Sequence, residues 1–326
     1  MGLIIIGLRG NAQQKTPADF GYQHIVIKYG KDTVDVLVLS KKGEERKKKP
    51  LFLFVQGSRP IPLIKYKGEA TYGVFPFKPD AYLSDFHLAI ISKPGIPLVA
   101  SVQELQPGFM WLDPKTKTFP AAYCQRNYLG YYVARNTAVL KYLAQQSWVE
   151  SKSITIAGHS EGSTVVARMA AKPGPVAHVI YLSGNPLGRM MTIVAQQRTP
   201  ADTTNDATEA EFRDWASVIA TPDQNDCSTG DSHKTTYSFS GQPLEYFRKA
   251  SIPVFVGYGT RDAAALFNDY LRLEMIRAQK TNITFRAYPG LEHNFFGFKN
   301  DAINYDNFNW DRVAQEFFAW IKQAKQ

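Results

Sequence analysis

The sequence predicts an α/β fold, in which a mostly parallel sheet carries helices on both of its faces. Two observations lead to this prediction. Strand-like apolar runs alternate along the chain with helical stretches, as in parallel sheets built from βαβ units. The run at 51–55 is apolar at every position, which suits a central strand that is buried on both faces. The 326 residues, 44% of them hydrophobic, are enough for one large core.

The amino-terminal part of the chain predicts an antiparallel start followed by parallel strands. Residues 22–40 are interpreted as two strands with a turn between them, because alternate valines supply one apolar face. Strands at 51–55 and 86–91 follow. The connections 58–85 and 93–126 are long for a compact domain, so we expect them to shape a functional site.

The segment 153–163 carries the strongest functional signal. It contains Gly-His-Ser-Glu-Gly at 158–162, between a β-branched run and a helix predicted over 164–171. This order is that of a nucleophile elbow, a strained turn that exposes a serine, here Ser160. The glycines leave room where strand and helix backbones crowd. The N–H of Glu161 opens the helix and would face an oxyanion formed at the serine. A plain turn whose serine caps the helix is the alternative.

A serine nucleophile needs a base and an acid that orients the base, and both are predicted later in the chain. A strand at 252–258 ends just before Asp262, and a strand at 283–288 is followed by a turn and His293. Ligands of parallel sheets bind at the carboxyl ends of the strands. We therefore expect Ser160, Asp262 and His293 to converge at this edge.

Other residues compete for these two roles. His233, in a polar loop predicted over 228–240, is the competing base, whereas the remaining histidines lie in or beside strands or in the elbow. Asp262 could instead cap the helix that follows it. The acidic competitors are Asp223, Asp226 and Glu292. We predict His293 and Asp262, because their positions fit the order serine, acid, histidine.

A second oxyanion donor is predicted in the loop after the strand at 51–55. Gly57 lets the backbone turn back towards the nucleophile, and the N–H of Ser58 is the predicted donor. Arg59 is the alternative donor. A turn without a catalytic role is the competing interpretation.

With these residues in place, the chain resembles the α/β-hydrolase superfamily from about residue 22 onwards. The elbow at 158–162, Asp262 and His293 match the pattern, and the form of the elbow is similar to esterases and peptidases of the dienelactone-hydrolase and prolyl-oligopeptidase side. The resemblance implies an α/β-hydrolase fold and a Ser-His-Asp triad that needs no cofactor. Two departures are Gln56 in place of the usual histidine, and Ser163 where many members carry glycine.

The organisation predicted from the sequence is an amino-terminal segment at 1–21 and a hydrolase domain at 22–326. A helical lid inserted at about 185–251 is expected over the site, because a simple crossover needs only a dozen or so residues. The alternative is an extension on the protein surface that does not cover the site. Further helices are predicted over 127–146, 190–197, 209–219, 263–279 and 309–325. The last of these places Val313, Phe317, Trp320 and Ile321 on one face.

Composition excludes several classes of partner. The formal charge is +9, but the basic residues are dispersed, and the dense run at 41–49 includes two glutamates and suits a solvated turn. No nucleic-acid motif is present, and no apolar stretch is long enough to span a membrane. Three aspartates near the carboxyl terminus match no calcium spacing and suit helix capping instead. These are Asp301, Asp306 and Asp311.

The amino terminus and the two cysteines bear on localisation. Residues 3–14 resemble the tail of a secretory signal, which predicts a secreted or periplasmic protein. A cytoplasmic location is the alternative, because the apolar part is short and has no basic residues before it. Cys124 and Cys227 would form a disulfide in an exported protein, and free thiols otherwise.

The function that follows is a serine esterase acting on a small-molecule or peptide acyl substrate. A peptidase or a thioesterase with the same triad is the first alternative. A non-catalytic binding protein on the same scaffold is the alternative of another class. Arg59, Lys65 and Lys67 are candidates for recognising an acidic group of the substrate, with solvent exposure as the competing interpretation.

Overall fold

The computed structural model describes residues 15–172, 174–198, 203–227 and 230–324. Its strands are β1 (Gln23–Tyr29), β2 (Asp32–Leu39), β3 (Lys49–Val55), β4 (Ile64–Lys67), β5 (Ala70–Tyr72), β6 (His87–Ile91), β7 (Val99–Ser101), β8 (Val149–His159), β9 (Val176–Leu182), β10 (Val254–Gly259), β11 (Ile283–Tyr288), β12 (Phe296–Lys299) and β13 (Ala302–Phe308). Its helices are α1 (Ala121–Arg126), α2 (Leu129–Ala144), α3 (Glu161–Ala170), α4 (Arg189–Gln197), α5 (Asp206–Ala220), α6 (His233–Phe239), α7 (Pro243–Lys249), α8 (Ala265–Arg277) and α9 (Trp310–Gln323).

The main sheet has eight strands in the order β1-β2-β6-β3-β8-β9-β10-β11. β2 pairs antiparallel with both β1 and β6. The remaining neighbours pair in parallel. This topology confirms the predicted α/β class with its antiparallel start, and it brings the carboxyl ends of β8, β10 and β11 to the same edge.

Apolar side chains cover both faces of this sheet. Leu53 and Ile156 belong to a buried cluster with residues of α2, α3, α7 and α8. Their chain neighbours Phe52 and Ala157 belong to a second cluster, formed largely with α9. The alternation follows from the two-residue period of a strand. As predicted, α9 buries Val313, Phe317 and Ile321 against the sheet, while Trp320 is half-buried.

Two segments differ from the prediction. The polar loop predicted over 228–240 was wrong in its second half, because α6 begins at His233. The hydroxyl of Ser232 accepts a hydrogen bond from the N–H of Thr235 at 3.1 Å, and Phe239 is buried, so a cap and one core contact hold this short helix. The antiparallel hairpin β12–β13 was not predicted, nor was the small sheet β5-β4-β7.

The connection between β9 and β10 is a helical insertion that contains α4, α5, α6 and α7. Helices α4 and α5 agree with those predicted at 190–197 and 209–219. A disulfide joins Cys227, in the loop before α6, to Cys124 of α1.

The predicted amino-terminal segment at 1–21 lies mostly outside the described residues, and only 15–21 can be placed. Pro17–Phe20 forms a short 3-10 turn before β1. In the described part of the chain, none of the helices combines the length and the apolar character that crossing a membrane requires.

Candidate active site

Ser160 occupies the turn between β8 and α3 and has the backbone angles φ 56° and ψ −125°. A positive φ is costly for a residue with a Cβ, so the surrounding structure has to enforce it. A Cβ at Gly158 would collide with the carbonyl group of Gly162, and one at Gly162 would collide with the carbonyl oxygen of Val55. The two glycines therefore allow β3, β8 and α3 to meet closely at the serine.

The predicted partners of Ser160 lie within hydrogen-bonding distance. The Nε2 atom of His293 is 2.9 Å from Ser160 Oγ, and its Nδ1 atom is 2.9 Å from Oδ2 of Asp262. The other oxygen of Asp262 accepts a hydrogen bond from the N–H of Ala264 at 3.0 Å. Since a carboxylate only accepts, Nδ1 of the imidazole carries the proton and Nε2 is free to accept one from the serine.

The environments of the two titratable groups differ. The side chain of Asp262 is 2% exposed, whereas that of His293 is 33% exposed. Burial by itself lowers the pKa of His293, but the hydrogen bond and the negative charge of Asp262, with a smaller contribution from Glu292, raise this pKa above its usual value. The carboxylate thus stabilises the imidazolium that would form when the histidine takes a proton.

Two of the competing residues have partners outside the triad. His233 is the first residue of α6, and its Nδ1 atom is 2.8 Å from the hydroxyl of Thr221. Glu292 accepts hydrogen bonds from the N–H groups of Asn294 and Phe296, at 2.7 and 3.0 Å. Neither residue contacts Ser160 or the imidazole of His293 through these bonds.

His159 has a role that the sequence did not indicate. Its Nε2–H donates to the backbone oxygen of His293 at 2.9 Å. Burial lowers the pKa of His159 to about 3, and the neighbouring His293 adds to this effect. His159 is therefore neutral, and it fixes the backbone of His293.

The loop after β3 lies against Ser160. A Cβ at Gly57 would lie 3.5 Å from the Cβ of Ser160, and Ser58 lines the same cavity as Ser160 and His293. Glu161 is the first residue of α3, where backbone N–H groups have no partner within the helix. Both predicted oxyanion donors thus belong to segments that border the serine.

Lys93, which follows β6, contacts both of these segments with its side chain. Its Nζ atom donates to the backbone oxygen of Ser58 at 2.8 Å and lies 3.4 Å from a carboxylate oxygen of Glu161. The hydroxyl of Tyr123 donates to the same Ser58 oxygen at 2.9 Å. The Lys93 side chain is 4% exposed, and burial lowers its pKa despite the attraction of Glu161.

The ion pairs continue into the insertion. Nη1 of Arg189, the first residue of α4, donates to Glu161 at 3.2 Å, and its Nη2 donates to Asp231. Lys93, Glu161, Arg189 and Asp231 form a chain of two cations and two carboxylates. It ties Glu161, the residue after Ser160, to the helical insertion. Sequence reasoning missed this chain, because its members are far apart in sequence and match no motif.

A cavity of about 250 Å³ opens beside Ser160 and His293. The sheet edge contributes Ser183 and Asn185, and α4 contributes Arg189, Ile193 and Gln196. A wider groove of about 510 Å³ continues past the loop after β3. Among its lining residues are Gln56, Arg59 and Asn294.

Three basic residues were predicted as candidates for recognising an acidic group of the substrate, and their surroundings differ. Lys65 is buried, and its Nζ donates to backbone oxygens of the same loop, including that of Leu63 at 3.3 Å. Burial lowers the pKa of Lys65 to about 8. Arg59 is exposed and lines the groove next to Ser160, whereas Lys67 is exposed and lines neither the cavity nor the groove. Of the three, Arg59 is the one that lines the groove beside Ser160.

Within the described ranges, no cluster of three or more histidine, cysteine, aspartate or glutamate side chains could hold a metal ion. Asp311 lies in the first turn of α9, and its Oδ1 accepts the N–H of Lys78 at 2.8 Å. Asp301 forms an ion pair with Arg261 at 3.2 Å.

Comparison with solved structures identifies the fold. Est1E from Butyrivibrio proteoclasticus is similar over 92% of this chain and 98% of its own, with a TM-score of 0.56 and 14% identity. Porphyromonas gingivalis dipeptidyl peptidase 4 has a TM-score of 0.56 and 15% identity over 93% of this chain. Pyrococcus horikoshii acylaminoacyl peptidase has a TM-score of 0.53 and 13% identity over 91% of this chain. The chain spans only 35% of the first of these peptidases and 41% of the second.

Sequence comparison adds one match. Residues 227–325, which include Asp262 and His293, match the model of the dienelactone hydrolase family. No sequence among the curated proteins matches the chain. The family match and the fold neighbours together support an enzyme of the hydrolase class. The chain has the α/β-hydrolase fold, and its carboxyl-terminal third is similar to the dienelactone hydrolases.

Proposed function

We propose that this protein is a serine hydrolase that cleaves a carboxylic ester through an acyl-enzyme intermediate. One observation carries the proposal: two hydrogen bonds of 2.9 Å link the hydroxyl of Ser160, the imidazole of His293 and the carboxylate of Asp262. A serine hydroxyl becomes a nucleophile when a base accepts its proton and an acid orients that base.

The residues of the site suggest how each step would proceed. Ser160 Oγ attacks the carbonyl carbon while Nε2 of His293 takes the hydroxyl proton. The N–H groups of Glu161 and Ser58 are our candidates for stabilising the resulting oxyanion. The protonated His293 then donates to the leaving alkoxide. A water molecule, deprotonated by the same nitrogen, attacks the acyl carbon. His293 then returns this proton to Ser160 Oγ as the acyl–oxygen bond breaks, which releases the acid and regenerates Ser160.

The cavity favours a short acyl group. Its volume of about 250 Å³ lies just below the roughly 300–1,000 Å³ of pockets that hold drug-sized ligands. Ile193 of α4 and Phe239 of α6 supply apolar contacts in its wall. We propose that the insertion is a lid, because α4 borders the cavity and Arg189 ties it to Glu161.

A substrate panel tests this proposal. We expect hydrolysis of 4-nitrophenyl acetate and butyrate, with activity falling for long acyl chains that exceed the cavity. Ser160→Ala should reduce hydrolysis to the uncatalysed rate, while Ser147→Ala, at an exposed position outside the site, should leave it unchanged. Ester hydrolysis that persists in Ser160→Ala would contradict the proposal, and a wild type without turnover would favour a binding protein.

Amide cleavage is the second candidate, because two of the fold neighbours are peptidases. Aminoacyl 4-nitroanilides and a thioester in the same panel distinguish the possibilities. The same triad would serve all three reactions, so kcat/KM for each substrate class decides between them.

A further inference from the structure

The cavity beside Ser160 is bordered on one side by the segment that follows β9. Residues 183–185 of this segment all line the cavity, and we call them the β9 wall. The last residue of β9 is Leu182, whose backbone oxygen accepts a hydrogen bond from the N–H of Ser160 at 3.0 Å. The β9 wall therefore begins next to Ser160, and the pairing of β8 with β9 fixes its position relative to the serine.

The backbone of the β9 wall is held in a strained conformation. Ser183 has φ 48°, which is costly for a residue with a Cβ. Its N–H donates to the backbone oxygen of Gly257 at 2.9 Å. The backbone oxygen of Gly184 accepts from Nδ2 of Asn268 at 2.9 Å, and a Cβ at Gly184 would collide with Ser163 Oγ. Strain that the surroundings enforce in this way is common at binding and catalytic sites.

Two side chains of the β9 wall carry polar groups that nothing in the described part of the chain satisfies. Ser183 is 2% exposed and Asn185 is 7% exposed. The Oδ1 atom of Asn185 accepts the N–H of Leu187 at 2.9 Å, which leaves the Nδ2 group as a donor. Among the described residues, neither this Nδ2 group nor the Ser183 hydroxyl has a hydrogen-bond partner. Buried polar groups are nearly always paired, so a partner from outside the chain is expected in the cavity.

We propose that the β9 wall binds a hydroxyl or carbonyl oxygen on the acyl group of the substrate, so that the preferred substrates are esters of short hydroxy or oxo acids. This inference rests on the proposed ester hydrolysis. The Nδ2 group of Asn185 only donates, whereas the Ser183 hydroxyl donates or accepts. A carbonyl oxygen can accept from both groups. A hydroxyl can accept from Asn185 and donate to Ser183, and an ammonium group can do neither for Asn185.

An acyl group without such an oxygen should bind less well. Before substrate binds, water can serve the two polar groups of the β9 wall. A substrate group that displaces this water loses affinity unless it reproduces the hydrogen bonds. An oxygen function on the acyl group reproduces them, while Ile193 and Phe239 contact the carbon atoms beside it. A plain alkyl chain leaves Ser183 and Asn185 unpaired, and sites built for hydrogen bonds reject such analogues strongly.

A set of 4-nitrophenyl esters of equal chain length tests the inference. The esters of 2-hydroxybutyrate, 3-hydroxybutyrate and 3-oxobutyrate are compared with butyrate. Each kcat/KM is divided by the rate of hydroxide-catalysed hydrolysis of the same ester, because an oxygen substituent also changes the intrinsic reactivity. After this correction, we expect the wild type to prefer at least one oxygen-bearing ester over butyrate by about 10-fold or more.

Two variants remove the proposed donors one at a time. Ser183→Ala removes the hydroxyl, and Asn185→Asp keeps an oxygen for the N–H of Leu187 but replaces the donor with an acceptor. Each should reduce the preference for the oxygen-bearing ester by about 5–10-fold. Ser183→Ala should also leave Tm unchanged or raise it, since the lost hydroxyl has no partner among the described residues.

Ser232→Ala is the matched control. Ser232 is also a buried serine, 1% exposed, and it does not line the cavity. Its hydroxyl caps α6 by accepting the N–H of Thr235 at 3.1 Å. This variant should therefore lower Tm and leave the ratio between the oxygen-bearing ester and butyrate as in the wild type.

The outcomes separate this inference from the proposed function. A wild type that hydrolyses butyrate without preferring any of the oxygen-bearing esters would overturn the inference and leave the proposed function standing. A preference that survives both Ser183→Ala and Asn185→Asp would overturn it as well, as would a fall in Tm in Ser183→Ala equal to that in Ser232→Ala. A wild type that hydrolyses none of the four esters would contradict the proposed function itself.

Discussion

In the proposed mechanism, Asp262 controls the protonation of His293. Removing its negative charge and its hydrogen bond leaves burial as the main influence on His293, and burial favours the neutral imidazole. The same change removes the group that fixes the proton on Nδ1, so the ring would no longer be held with Nε2 facing Ser160. One residue thus sets both the pH range of the base and its geometry.

The pH dependence of kcat/KM should report this control. Only neutral His293 can accept the serine proton, so activity should be lost as the pH falls through its raised pKa. The midpoint of this acid limb should therefore lie above 6.5 in the wild type.

In Asp262→Asn the midpoint should move to lower pH, and kcat should fall by up to about 10⁴-fold. Stopped-rate assays of a 4-nitrophenyl ester from pH 5 to 9 provide the measurement. An acid limb that stays in place after Asp262→Asn would show that another group is the partner of the base.

We predict that Lys93 positions the candidate oxyanion donors and does not itself touch the substrate. Its ammonium group holds the backbone oxygen of Ser58 and the carboxylate of Glu161, the two residues whose N–H groups are the candidate donors. Tyr123 supports the same Ser58 oxygen. Loss of the ammonium group should loosen the alignment of the donors while leaving the triad and the cavity in place.

We predict that Lys93→Met lowers kcat by about 10–100-fold with little change in KM, because removal of a whole oxyanion donor costs about 10²–10³-fold. Lys49→Met is a matched control. Lys49 is also a buried lysine, and it donates to the backbone oxygen of Leu83 and pairs with Glu44, remote from the cavity. It should lower Tm without a selective loss of kcat. Equal effects of the two variants on kcat would make Lys93 a structural residue.

Some residues of the candidate site could be predicted from the sequence, and others could not. Ser160, Asp262 and His293 could be predicted, since each follows a recognisable strand and parallel strands share an edge. Lys93 could not, because a single lysine after a strand has no distinctive spacing. The available signal was the position of Lys93 two residues after the apolar strand β6, because a lysine there lies close to the core.

At the scale of elements, α1 links the loop after β3 to the insertion. Cys124 of this short helix forms the disulfide with Cys227, and its neighbour Tyr123 donates to the Ser58 oxygen. The two cysteines are separated by 103 residues in sequence. A long enclosed loop loses much conformational freedom in the unfolded chain, which favours the native state.

We predict that Cys124→Ser together with Cys227→Ser lowers the free energy of unfolding by about 2–4 kcal/mol. It should also reduce kcat, because α1 loses its anchor beside Ser58. Urea denaturation and ester hydrolysis measure the two effects. Unchanged stability would indicate that the thiols are reduced in the native protein, which would also weigh against our proposal that the protein is exported.

Elements missed by the sequence reasoning share a physical cause. The α6 helix has few apolar residues and is held by the Ser232 cap and by burial of Phe239 in the core, which only the tertiary structure reveals. The hairpin β12–β13 exposes most of its residues, so it lacks the alternation of a half-buried strand. Strongly patterned elements such as β3 and α9 were predicted, because their burial is encoded in their own sequence.

At the scale of the whole molecule, the topology assembles the site. The residues of the candidate triad are 133 and 31 positions apart in sequence, and the parallel order of β8, β10 and β11 brings them to one edge. Residues of the insertion between β9 and β10 then line the cavity at that edge. The fold class could be predicted from the order of strands and helices, whereas the fit of the insertion depends on ion pairs between distant residues.

Covalent labelling tests the central claim most directly. The wild type should react with a fluorophosphonate to give one adduct per chain, and mass spectrometry of the digested protein should place that adduct on Ser160. His293→Ala should react far more slowly, and Ser160→Ala should not react. An adduct on another residue, or labelling that survives Ser160→Ala, would contradict the account.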